Sequence, residues 1–228
     1  MTESTAIAGP HAVGSPSARS IPLPLIYGLF LISGAAALLY QVVWQRSLFA
    51  LYGVNVEAVT IVVAAFMLGL GLGSFAGGKL SKVPDAPLPL WFGLIEIGIG
   101  VFGLISLQLF HWVGDLTAGA EGLATFGLSF SLVVVPTLLM GSTLPMLVAY
   151  AVQSSHNVGK SVGMLYFINT LGSALASIAA AVLLLGELGQ SGTVVLAAIG
   201  NLFVGGLVLA WWFIGHRKGP AAAGNPSL

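Results

Sequence analysis

The chain has no cysteine and very little charge. The first absence excludes disulfides, thiolate metal sites and haem attachment through a CxxCH motif. The second decides the solvent. Charged residues make up 6% of 228 residues, and the mean hydropathy is +1.01. A soluble domain carries about 25% charged residues, so these values belong to a protein immersed in lipid. Deep histidine is lacking too. His11, His111, His156 and His216 all fall in tails, connections or span ends. That argues against haem or chlorophyll ligation inside a bundle. No acidic or histidine cluster has metal-ligand spacing, and no cofactor is expected.

What is present is six long apolar stretches. A helix needs roughly 20 apolar residues to cross a hydrocarbon core about 30 Å thick. The stretches predict spans over about 22–46, 56–80, 87–111, 123–152, 160–186 and 191–214. The fold class is therefore all-α: a polytopic bundle occupying 21–215. Residues 1–20 and 216–228 read as cytoplasmic tails, small, polar and too poor in apolar surface to order themselves. The apolar run after Arg19 continues through Trp44, too long for the core of a cleaved signal peptide.

Even-numbered crossing puts both ends on one side. Arg19, Lys79, Lys82, Lys160, Arg217 and Lys218 share that side, and Arg46 lies near the other. Lys/Arg excess marks the cytoplasm, so both termini are expected inside. Asp115, Glu121 and Glu187 then sit in outer connections. Trp91, Trp112, Trp211 and Trp212 fall at span ends, as interfacial anchors do.

Small residues and prolines mark two spans. Gly69, Gly73 and Gly77 recur every fourth position in the second, on one helix face. Such a face lets backbones approach closely in lipid. A GxGxxG-like match from Gly71 follows no strand, and Gly159-Lys160-Ser161 lacks the earlier glycine of a phosphate loop. Nucleotide and nucleic-acid binding are not expected. The fourth span contains Pro136 and Pro145 around Ser142-Thr143. Proline removes a backbone donor, which predicts either a structural kink or a hinge lining a cavity. The hydroxyls of Ser142 and Thr143 are available to the freed carbonyls.

Glu96 carries the sharpest signal. It lies about nine residues into the third span, roughly 13 Å deep at the helical rise. An ionisable group at such depth is costly and marks a functional candidate. Counting depth along the other spans brings Ser33, Ser142, Thr143, Asn169 and Thr170 to the same level. The expectation is a polar layer around Glu96, either packing the helices through hydrogen bonds or holding a cation or proton. A second cluster, Tyr40, Gln41, Trp44 and Arg46, ends the first span, with Glu57 as a partner for Arg46. It reads as a structural clamp or as an outer site for an anion or a partner.

Several segments also resemble a known family. Ser33–Arg46, Ala65–Ser74, Leu94–Gly98, Pro136–Pro145 and Gly163–Gly172 are similar, in order, to the membrane half of bacterial spermidine synthase-like proteins, the fused transporter/spermidine synthases. The resemblance implies a bacterial inner-membrane location. Members continue into a soluble aminopropyltransferase-like domain, which these 228 residues do not include. No enzymatic activity is therefore expected. The six spans also look like half of a major-facilitator transporter, a likeness at fold level only. Two functions remain open. One is an accessory or anchoring subunit docking a membrane-protein partner, without catalysis of its own. The other is a carrier of a small cation such as a polyamine, dimeric, with Glu96 as the cation or proton site.

Overall fold

A computed structural model describes residues 21–52, 56–117 and 122–217. Among the described residues the regular structure is entirely helical: α1 (Leu23–Tyr52), α2 (Val56–Leu80), α3 (Leu88–Leu116), α4 (Gly122–Ser155), α5 (Val158–Ala179), α6 (Leu185–Glu187) and α7 (Gly189–Arg217). A π-helical turn at Ala180–Leu184 joins α5 to α6, so these three make one span. Among the described residues six helical stretches are long and apolar enough to cross a membrane, which fits a multi-pass membrane protein.

The helices outrun the spans read from composition. α1 continues to Tyr52 and α3 to Leu116, taking in Gly114 and Asp115. Weak helix formers near a helix end do not stop it while packing continues; Phe110 and Val113 are still buried on that last stretch. The starts are set by local chemistry. Pro87 caps α3 and Pro89 lies in its first turn, where a missing donor costs nothing. Asn157 caps α5, its side chain accepting from the Lys160 amide at 2.9 Å. Gly189 takes φ +65 at the α6–α7 turn, a backbone state that glycine adopts without a steric penalty.

The bundle is three helix pairs, α2 with α4, α3 with α7 and α1 with α5. Two apolar cores stack along it. One, near the start of α1 and the end of α7, gathers Ile26, Phe30, Phe92, Leu165, Val204 and Val208. Tyr150 closes that end by donating to the Ile21 carbonyl at 3.0 Å. The other core gathers Tyr40, Val43, Trp44, Leu48, Ile61 and Phe66. Between them lies the level of Glu96.

α4 passes both prolines without a break. Its hydroxyls bond one turn back within the helix: Thr137 to Val133 and Val134, Ser142 to Leu139, Thr143 to Met140. Ser142 and Thr143 thus serve carbonyls other than the one Pro145 frees at Gly141, because a hydroxyl reaches three or four residues back.

Candidate functional site

Glu96 is fully buried on α3. Ser33 of α1 donates to its Oε1 at 2.6 Å, and Asn201 of α7 donates to its Oε2 at 2.6 Å. Both distances are short, so the two donors hold the carboxyl group tightly. One carboxylate therefore ties three helices together. Asn201 is 1% exposed, and its Oδ1 has no partner. An orphan acceptor at such burial is costly and calls for a ligand or water.

Ser33 and Asn201 also line a cavity of about 330 Å³ enclosed by α1, α2, α4 and α5, with Asn201 of α7 at its back. Gln41, Ser74, Thr143, Tyr166, Asn169 and Ser173 supply its polar wall. Phe30, Phe66, Leu70 and Met140 supply its apolar wall. Ser74 and Tyr166 are exposed and mark the mouth. Glu96 stands one side chain behind, reached through Ser33 and Asn201. The arrangement is mostly apolar with a few convergent polar groups, as small-molecule sites are.

The residues expected at this level separate. Ser33 bonds Glu96 directly, and Asn169 and Thr143 face the cavity. Ser142 is buried with its backbone against Gly77 of α2. Thr170 is exposed and leaves the layer. It adjoins Asn169 in sequence, but a helix turns about 100° per residue, so equal depth did not mean equal direction. Asn201 was missed. It is the only strongly polar side chain deep in the last span, and that was the available signal.

The second cluster also divides. Tyr40 and Trp44 are fully buried and stacked, ring centroids 5.1 Å apart. Trp44 Nε1 donates to Ser106 Oγ at 3.0 Å, and Phe102 meets its ring edge-on. Gln41 turns into the cavity, while Arg46 is exposed. These four are therefore not one outer site. Three of them pack or line the interior because the helix carries successive residues to different faces. The Glu57 side chain lies outside the described residues, as do the chain tails.

Gly69, Gly73 and Gly77 all meet α4, at Thr137, Leu138 and Ser142 respectively. A Cβ at any of them would come closer than real Cβ atoms approach a neighbour. Thr137 also donates to the Ala65 carbonyl of α2 at 3.3 Å. No group of metal-ligating side chains occurs among the described residues.

No protein-family model, curated protein or solved structure matches the chain.

Proposed function

We propose that this protein binds and carries a small organic cation, a linear polyamine being the fitting class, through the cavity in front of Glu96. The observation that carries this reading is the pairing of a buried carboxylate with an orphan acceptor, Asn201 Oδ1, at the back of a 330 Å³ cavity. The amide oxygens of Gln41 and Asn169 and the hydroxyls of Ser74 and Ser173 add acceptors for ammonium donors. Phe30, Phe66 and Tyr166 offer aromatic surface to a cation. The lysine and arginine bias favours cytoplasmic termini, the family resemblance favours a bacterial inner membrane, and a dimer would double six spans to the size of a full carrier. The similarity to the membrane half of spermidine synthase-like proteins agrees with a polyamine and with no catalysis in this chain.

The test is uptake of labelled spermidine into liposomes holding the purified protein. Saturable uptake that Glu96→Gln abolishes, with the variant still a monodisperse helical protein, supports the reading. Equal uptake by both proteins, or none by either, overturns it.

A second reading, an accessory subunit, rests on α5. Its span is 17% buried, against 33–50% for the other five. Phe167, Leu175, Ile178 and Val182 project from it. A membrane-protein partner of similar apolar character would cover that face. Mild-detergent purification returning a stoichiometric partner favours this reading over the carrier.

A further inference from the structure

Two of the three helix pairs make the same crossing. On the α1–α5 seam, a Cβ on Gly34 would meet the Asn169 carbonyl, and one on Gly172 would meet the Leu31 carbonyl. On the α4–α2 seam, a Cβ on Gly141 would meet the Leu70 carbonyl, and one on Gly73 would meet the Leu138 carbonyl. Gly34 and Leu31 shift to Gly141 and Leu138 by one common offset. Gly172 and Asn169 shift to Gly73 and Leu70 by another. The tripeptide Leu-Gly-Ser stands at both crossings, 72–74 and 171–173. Under the second offset the last residue of α2, Leu80, falls on the last residue of α5, Ala179.

The third pair repeats onto itself. Gly100 of α3 faces the Ala198 carbonyl and Leu202 of α7, and Gly205 of α7 faces the Gly93 carbonyl and Ile97 of α3. One offset converts the first contact set into the second. The same offset converts Glu96 into Asn201, the two residues that bond each other.

We infer that the chain is two inverted three-helix repeats, α1–α3 and α4–α7, with the Glu96–Asn201 pair and the cavity on the pseudo-two-fold axis between them. Three crossings per repeat force the second repeat to enter from the opposite face, so the axis lies in the membrane plane. Half of the cavity lining follows the operation. Ser33 pairs with Met140, Ala37 with Leu144, Leu70 with Asn169 and Ser74 with Ser173, and all eight line it. The repeats have diverged where the ligand would sit: the carboxylate of one is the amide of the other.

The symmetry has a mechanical consequence. The α2–α4 seam is packed more extensively than the α1–α5 seam. Exchanging the two conformations loosens the first seam and tightens the second, which turns the mouth of the cavity to the other membrane face. This exchange step rests on the carrier reading above; the repeat itself does not.

The natural absence of cysteine makes the test direct. Single variants Ser74→Cys and Ser173→Cys, and the second equivalent pair Leu70→Cys and Asn169→Cys, are labelled with a membrane-impermeant maleimide in right-side-out and inside-out vesicles. Labelling of each pair from both faces is expected. Gly73→Ala added at one seam should shift that labelling toward one face, and Gly172→Ala should shift it toward the other. Labelling from one face only overturns the exchange, and so does a shift of both seam variants in the same direction; cysteines placed just before α1 and just before α4 that label from the same face overturn the repeat itself. Protection by spermidine is read separately. Two-sided labelling that spermidine leaves unchanged removes the polyamine reading and keeps the inverted repeat.

Discussion

The α2–α4 and α1–α5 seams are built on the same kind of glycine crossing and differ on either side of it. At the crossing, glycine meets backbone on both: Gly73 and Gly141 on one, Gly172 and Gly34 on the other. One turn away, α2 keeps glycine at 69 and 77, while α5 has Ile168 and Ala176 at the matching places. α2 therefore lies flush on α4. α5 stands off α1, and an apolar groove of about 580 Å³ runs between α1, α5 and α7 beside it. In lipid no hydrophobic force drives helices together, so close contact depends on small residues and shared hydrogen bonds. One glycine crossing locates a helix; three in register hold it along its length.

Both seams are most sensitive at the crossings. Gly73→Leu and Gly172→Leu should each cost more than about 3 kcal/mol, the upper range for overpacking, because a carbonyl of the facing helix occupies the space. Gly71→Leu on the opposite face of α2 meets nothing within 4 Å and should leave melting in detergent unchanged. Equal melting of all three would refute the account.

Next comes the carboxylate between the seams. Glu96→Ala strands the Ser33 hydroxyl and the Asn201 amide, at about 1–3 kcal/mol for each buried group left unpaired. Adding Asn201→Leu should recover part of the loss. A double variant no more stable than the single would show that Asn201 is paired elsewhere.

Away from the crossings, Gly77→Ala should destabilise the flush seam by about 1–3 kcal/mol. The matching exchange on the looser seam, Ala176→Gly, meets no backbone clash and should cost the helix propensity of about 1 kcal/mol plus the packing of one buried methyl group. A reversed order in thermal melting would show that the standoff of α5 does not come from these positions. Ser106→Ala leaves Trp44 Nε1 unpaired and should cost about 1 kcal/mol, visible as a shift in tryptophan emission. Thr170→Val, on the exposed face of α5, should change neither stability nor spermidine uptake.

Depth was legible from residue order, and direction was not. Counting along the third span located Glu96, and the same count found Ser33, its hydrogen-bond donor. It also gathered Thr170, which faces away, and grouped Tyr40 and Trp44 with Arg46 although the rings enter the core and the cation does not. A residue's depth follows from the rise per residue. Its direction follows from which helices lie alongside, and three of the strongest pairings join helices distant in sequence. The repeat was hidden for a related reason. Its two copies share few identities, and the contacts of the crossing glycines are what set the offsets that align them.

Residue order alone was enough for the lipid solvent, the six apolar stretches and the deep carboxylate. Each is a sum or a count over a short local window, and hydrocarbon tolerates little else. Folding in three dimensions settled that Asn201 faces Glu96, that Gln41 joins the cavity and that the two seams repeat. Those facts depend on which helices become neighbours. In a bundle without a hydrophobic force between its members, that choice is made by backbone fit at a handful of glycines.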